Sequence, residues 1–455
     1  MGDVAAVTNN IQQRTRDDGF LGLNRNEHLH QTVEDLKALT ADERNQVAAG
    51  LSDDDLQELA DDVNASGLGG ANGLSADEKR DLFNTLAEGL DGKQLARLAK
   101  AFDDRQDVMA LGQAVAQHAD SDTKVAFIKE MAPRTADDDH DSGVMVGGSW
   151  SEAGDKEAEA ILDVLSSMGN DPAAFNEAIN ALDDATLDKV ATAGLNQHTT
   201  YGESSVSVSH DPKQLTALLR AASSSNDPAV KARVFDAGAG ALQKMRDDTR
   251  FPVVGVGTDQ AAKQVADGLT QLLNTDVRGI VNELQKADQY GKGLSIYTSE
   301  VLRADPKAGA KTIGNQLAQL QGAGTGMDPA HFIEQQAPGT TGKPYYQNAE
   351  NLGYYTGAMR LGLDNLNTDA TTQGTIIKSI ILTAVSAASL GRGSGITLAT
   401  GANVVDAMIN EANGNRTELG QGLQDLALPL DARGNRYEGP AAAAYNAKVS
   451  IVRHN

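Results

Sequence analysis

Cysteine is absent from this chain of 455 residues. That excludes disulfide staples, thiolate nucleophiles and Cys-based zinc sites, and makes folding independent of the redox state of the compartment. Aromatic residues are scarce, 4% of the chain with a single tryptophan, so any place where they gather stands out. Positive charge is in deficit: 39 basic against 63 acidic residues leave a net charge of -24. Such a balance lacks the electrostatic footprint of a nucleic-acid or anionic-lipid binder, and no nucleic-acid partner is expected. The start, "MGDVAAVTNNIQQRTRDDGF", has no basic segment followed by an apolar run, so no cleaved signal peptide is expected. Ala6 stands where a myristoylation signal needs Ser or Thr. No Walker loop, HExxH helix or GxSxG elbow occurs.

What the chain does have is punctuation for helices. A leucine, a capping residue, a charged turn and a second apolar residue recur in "LTADERNQV" (Leu39–Val47), "LSDDDLQEL" (Leu51–Leu59), "LSADEKRDL" (Leu74–Leu82), "LDGKQLARL" (Leu90–Leu98) and "LDDATLDKV" (Leu182–Val190). Thr40 with Glu43 and Ser75 with Glu78 have capping-box spacing, in which each side chain satisfies an amide that the first helical turn leaves orphaned. Asp-Pro occurs at Asp171, Asp211, Asp227, Asp305 and Asp328. There the aspartate caps, and the proline gives up an amide that had no partner. Interiors follow suit: Ala158, Ile161, Leu162, Leu165 and Met168 share one helical face, as do Val277, Ile280, Val281 and Leu284.

The expected fold is mainly α, built of helical bundles or stacked helical hairpins with one or two short β-hairpins or loops. "SGVMVGGSW" (Ser142–Trp150) and "TTYGESSVSVS" (Thr199–Ser209) carry the alternation and turn chemistry of those hairpins or loops. A chain of this length suggests two to four domains. Expected segments are an N-terminal helical part (1–70), a second (71–135), a helical domain with hairpin insertions (136–320), a Gly/Pro-rich linker (321–344) and a C-terminal helical region with an apolar hairpin (345–455).

Metal and cofactor patterns fall short. "DVNASGLGGANG" (Asp62–Gly73) starts like a calcium loop but ends on Gly73, where a bidentate Glu is required. The acidic run Asp137–Asp141 reads as a solvated loop. "VVGVGTDQ" (Val253–Gln260) is half a dinucleotide fingerprint, with Gln260 in place of the third glycine. His331 and Glu334 have a metal-site spacing without a second such pair. No cofactor or metal is expected.

The C-terminal part differs in kind. Tyr345, Tyr346, Tyr354 and Tyr355 gather in "KPYYQNAENLGYYTGAMRLGL" (Lys343–Leu363), and Gly353 with Gly357 permits close helix approach. Beyond them, Ile376–Leu390 and Ile396–Ile409 form two apolar arms around a glycine-rich joint. The first spans roughly 22 Å as a helix against ~30 Å of hydrocarbon, and the second contains Asn403 and Asp406, so a permanent membrane anchor is not expected. Two readings remain: a hairpin buried in a soluble core, or one sheltered until it meets a target membrane. Tyr345, Tyr346, Tyr354, Tyr355, Ile376, Ile377, Ile380, Ile381 and Leu382 are the expected partner or membrane contacts.

Cap-rich helices, "NLGYYTGAMRLG" (Asn351–Gly362), the Ala/Gly/Ser-rich hairpin and a polar tail resemble regions of large proteobacterial effectors and toxins exported without a cleaved signal. The acidic, glycine-rich, cysteine-free composition is similar to that of harpin-type secreted proteins. The resemblance implies a secreted, non-enzymatic effector or toxin component acting through a protein partner or target membrane, with a secretion chaperone or immunity protein as possible companions before release. The arms are shorter than those of a colicin-like pore former. A carboxylate-based cell-wall hydrolase is the second reading, because two acids about 5–10 Å apart leave no linear spacing to read. A soluble scaffold or adaptor of a secretion system is the third.

Overall fold

Aspartate begins helix after helix. Asp91, Asp104, Asp120, Asp155, Asp171, Asp183, Asp276 and Asp305 each accept a hydrogen bond from an amide of the first turn that follows. Thr40 and Ser75 form complete capping boxes with Glu43 and Glu78. Much of the acidic excess therefore does local work, since a carboxylate both satisfies orphan N–H groups and meets the positive end of the helix dipole.

The computed structural model describes residues 4–16, 25–64, 73–102, 104–136, 144–146, 149–151, 155–195, 197–201, 206–247, 258–322, 346–366, 368–389, 407, 418, 420–422, 424 and 439–453. The protein is mainly α-helical. It divides into two compact units at Asn226/Asp227, a point inside the 136–320 segment of the sequence reading.

In the first unit the helices are α1 (Val4–Arg16), α2 (Arg25–Lys37), α3 (Ala41–Gly50), α4 (Asp53–Asn64), α5 (Ala76–Ala87), α6 (Gly92–Ala101), α7 (Arg105–His118), α8 (Ser121–Met131), α9 (Lys156–Ser167), α10 (Pro172–Ala181), α11 (Asp184–Ala193) and α12 (Lys213–Ser223). From α4 to α9 the dominant contact is with the second neighbour: α4 on α6, α6 on α8, α8 on α10, and likewise α5 on α7 and α7 on α9. Consecutive helical hairpins are thus stacked, and two layers of helices share one apolar seam. Tight contact is needed between them, and Gly112 supplies it on α7, where a Cβ would lie 2.9 Å from Cα of Ala160 on α9. Polar links tie the stack from outside. Arg97 donates from Nε and Nη2 to Asp53 Oδ1 at 3.0 and 2.7 Å, holding α6 to the start of α4. Asp55 takes Gln12 Nε2 at 2.9 Å and Arg16 Nη2 at 2.7 Å from α1. Burial pushes its carboxyl up, but hydrogen bonds from Ser52, Gln12 and Arg16 outweigh it and hold the group at about 2.

Four short strands interrupt the stack: β1 (Val144–Val146), β2 (Ser149–Ser151), β3 (Gln197–Tyr201) and β4 (Val206–His210). They form one antiparallel sheet in the order β1-β2-β3-β4, with Met145 opposite Trp150 and Gln197 opposite His210. The pairing of β2 with β3 joins the segment before α9 to the segment between α11 and α12.

The second unit holds α13 (Pro228–Asp247), α14 (Thr258–Thr275), α15 (Val277–Ala287), α16 (Lys292–Ala304), α17 (Pro306–Leu320), α18 (Gln347–Asp364), α19 (Ala370–Ser389) and α20 (Pro440–Arg453). Its centre is α18, enclosed by α15, α16, α17 and α20. Every residue from Asn351 to Arg360 is buried, so this helix has no solvent face along that stretch. A helix buried all round belongs in a core, and its polar groups must find partners there. Arg360, 3% exposed, donates from Nη1 to Gln424.

Of the Asp-Pro starts, Asp171 and Asp305 cap α10 and α17, and Asp227 accepts from the amide of Ala229 at the start of α13. At Asp211 the helix begins two residues later, at Lys213, with no side-chain cap. Asp328-Pro329 lies outside the described residues, as do the acidic run Asp137–Asp141, the Val253–Gly257 stretch, the His331/Glu334 pair and nearly all of the linker.

Candidate functional site

The tyrosines singled out in the sequence are placed differently from one another. Tyr345 lies outside the described residues, and Tyr346 is half-buried just before α18. Tyr354 and Tyr355 are each 1% exposed and sit within the core of the second unit. Tyr355 donates from its hydroxyl to Gln316 Oε1 at 2.7 Å. Gln316 Nε2 in turn donates to Asn274 Oδ1 at 2.8 Å and to the hydroxyl oxygen of Tyr297 at 2.9 Å, and Thr270 Oγ1 closes the chain 3.0 Å from that hydroxyl. Burial pushes the Tyr297 phenol up to about 12 and the Tyr355 phenol well above its ordinary range. Both stay neutral near pH 7, as structural hydrogen-bonding groups that join α14, α16, α17 and α18.

The glycine pair beside them closes a seam within the chain. A Cβ on Gly353 would lie 2.4 Å from the carbonyl oxygen of Tyr445, and one on Gly357 would lie 2.8 Å from Val452 Cβ. Both contacts are to α20, so the close approach permitted by GxxxG spacing is spent inside the second unit.

The first apolar arm forms most of α19, packed on α17. Ile376, Ile377, Ile380, Ile381 and Ala384 are buried. Gly314 of α17 allows the two backbones to meet, since a Cβ there would be 2.5 Å from the carbonyl oxygen of Ile380. The opposite face is polar. Thr375, Lys378, Ser379, Thr383 and Ser386, with half-buried Leu382, face Lys311 and Asn315 of α17 across an open groove of about 550 Å³. Thus the isoleucines expected to touch a partner or membrane are core residues, and of that apolar set Leu382 lines the groove. Among the described residues no helix is long and apolar enough to cross a membrane. The second arm, Ile396–Ile409, lies outside the described residues apart from Ala407.

A hydrolytic mechanism would draw on carboxylates. Two on α9 are perturbed: burial raises Glu157 to about 7 and Asp163 to about 6. They sit six residues apart, which rotates them by about 120° on a helix. Asp163 turns to Gln113 of α7 and Gln214 of α12, whose hydrogen bonds partly offset its burial. Glu157 turns to Lys156, 4.0 Å away, and to Asp155. Between them Glu159, 3% exposed, is held by Arg105 through Nε at 2.9 Å. Glu157 and Asp163 thus point to different sides of α9, whereas a glycosidase pair must face one cleft. Glu157 was nonetheless visible in the sequence, because it precedes Ile161 and Leu165 at one-turn spacing and so falls on their apolar face. Among the described residues no group of three or more His, Asp or Glu is placed to hold a metal ion. No known protein family matches the chain, and no characterised protein matches it in sequence.

Proposed function

We propose that this protein is a non-enzymatic bacterial effector or toxin component, exported without a cleaved signal, that works by engaging a protein partner. The contact surface in this reading is the outer face of α17 and α19. The supporting observation is the groove there: about 550 Å³, open to solvent, and lined by Lys311, Asn315, Thr375, Lys378, Ser379 and Thr383. A large open groove that sets lysine, asparagine, serine and threonine groups among apolar stems, Leu382 and Ala387 suits a reversible protein contact. The membrane version of the reading requires α19 to leave α17, which would expose Ile376, Ile377, Ile380 and Ile381 together. At ~1.5–3 kcal/mol for each buried isoleucine, that release needs a strong compensating gain.

A photo-crosslinking amino acid at Ser379, introduced in the producing bacterium and in cells exposed to the secreted protein, tests this directly. The expected result is a discrete adduct that the same residue at Glu58, on the exposed face of α4, does not give. Equal adducts from both positions, or none from Ser379, would remove the reading. Dye release from anionic liposomes at pH 7 and pH 5 is the companion measurement, and no leakage is expected.

A further inference from the structure

Two carboxyl groups meet at the start of α9 with no donor between them. Asp155 caps the helix through Oδ1, which accepts from the amides of Glu157 and Ala158 at 3.0 Å each. Its other oxygen, Oδ2, is buried and accepts no hydrogen bond from the described residues; the same holds for Oε2 of Glu157, a residue 5% exposed. The two side chains are within hydrogen-bond reach of each other. Two ionised carboxylates cannot bond, because each only accepts. The cations around them are engaged elsewhere. Lys156 Nζ, on the same helix, stands 4.0 Å from Glu157 Oε1 but donates to the Phe102 carbonyl at 3.3 Å. Arg134, from the turn after α8, attracts Glu157 but also Glu130 of α8, and its Nη1 bonds the Ala96 carbonyl at 2.7 Å. Arg105 of α7 is held by Glu159, Lys189 of α11 by the Thr135 carbonyl and Lys213 of α12 by Asp211.

We infer that Glu157 carries a proton which it donates to Asp155 Oδ2, and that this bond latches the first turn of α9 over the joint between α6 and α7, releasing it when the proton leaves. That turn grips both ends of the joint. Lys156 holds the carbonyl of Phe102, whose ring packs edge-on against Phe83 with centroids 5.3 Å apart, and Glu159 takes Arg105 Nε at 2.9 Å. With the proton in place, Asp155 Oδ2 has its donor and the cap stays seated. Without it, two like charges share a buried site. Relief comes when Glu157 turns out to water, which draws Lys156 off the Phe102 carbonyl and frees the turn. The sign follows from burial, which raises Glu157 from 4.5 to about 7. Opening is therefore favoured increasingly from about pH 4.5 to about pH 7 and levels off above, so the latch is tightest in mildly acidic surroundings.

Infrared spectroscopy of the full-length protein reads the proton directly, through the carbonyl stretch of a protonated carboxyl group. A component that disappears with a midpoint near pH 7 is expected in the unaltered protein and in Asp163→Asn, and should be missing from Glu157→Gln. Should Glu157→Gln fold poorly, carbon-13 labelling of glutamate carboxyls makes the same assignment in unaltered protein, because it moves Glu and not Asp absorption. Asp155→Asn still caps the helix and offers Glu157 a donor, so the midpoint should fall by at least about one pH unit. Hydrogen exchange reads the latch. After correction for intrinsic rates, opening at the amides of Glu159 to Ile161 should rise about tenfold between pH 6 and pH 8, and by no more than about twofold in Glu157→Gln, where a carboxamide donates at every pH. Calcium or magnesium should leave these rates unchanged. The inference is overturned by the absence of a protonated glutamate at pH 6, by an unmoved midpoint in Asp155→Asn, by opening that ignores pH, or by protection on adding either cation, which would place a metal ion rather than a proton between the carboxylates.

Discussion

The two units bury their helices by opposite means. In the first, helix follows helix through local instructions: a cap, a charged turn, an apolar stripe, and a second-neighbour contact that repeats along the stack. In the second, one helix, α18, is surrounded, and its glycines and tyrosines meet partners far away in sequence. Gly353 touches Tyr445, and Tyr355 bonds Gln316. A stack of local phrases loses stability in small steps when a phrase is altered. A surrounded helix has no such tolerance, because each of its faces is a packed interface.

The largest effect should therefore come from the smallest addition to α18. Gly353→Ala places a methyl group 2.4 Å from the Tyr445 carbonyl oxygen, a contact that backbone alone can relieve. A cost of about 3 kcal/mol is expected, at the upper end for overpacking. Hydrogen exchange read by mass spectrometry locates it: protection should fall across α17, α18 and α20, while α5 to α8 stay as protected as before. Equal loss in both units would erase the contrast drawn above.

Glu157 sharpens the comparison from the other side, since it is the place where the first unit is itself strained. Its carboxyl is 5% exposed and raised from 4.5 to about 7, chiefly by burial, and Oε2 accepts no hydrogen bond from the described residues. The folded state thus binds a proton that the unfolded chain has released, and Glu157 costs stability as pH rises from about 4.5 through about 7. Glu157→Gln should raise stability at pH 8 by about 1–2 kcal/mol, allowing for the solvent that still reaches the group, and should change little at pH 4.5. The capping aspartates run the opposite way. Asp120 and Asp171 are held below the ordinary carboxylate range, by the amide of Thr123 and the hydroxyl of Ser121 respectively, so their contribution is present at neutral pH and lost on acidification. Chemical denaturation at pH 8 and pH 4.5 separates the two. A variant with the same gain at both would show that Glu157 is not titrating in that window.

How much of this was legible in the sequence follows the same division. Thr40, Ser75, Asp171 and Asp305 announce their helices because a cap and the amides it satisfies lie within three residues. The mainly helical character was therefore readable. Tyr354 and Tyr355 were not readable as core, because nothing near them tells that α20, some 90 residues on, folds back over Gly353 and Gly357. The isoleucines of α19 looked like a hydrophobic hairpin arm, yet their 3.6-residue spacing leaves Thr375, Ser379, Thr383 and Ser386 on the outside.

The smallest predicted effect tests whether the local phrases are as independent as the stack implies. Ser75 Oγ accepts from the Glu78 amide, and Glu78 returns a carboxylate oxygen to the Ser75 amide at 2.8 Å. Ser75→Ala removes one half of that exchange at an exposed site, and about 1 kcal/mol should be lost. Thr40→Ala removes the same element from α3, where Glu43 meets the Thr40 amide at 3.0 Å. The two caps share no partner, so the double variant should lose the sum to within about 0.5 kcal/mol. A loss much larger than the sum would mean that α3 and α5 communicate through Arg44, which donates to the Leu39 carbonyl beside the first cap and to the Thr85 carbonyl in the last turn of α5. The first unit would then share the cooperative, surrounded character assigned here to the second.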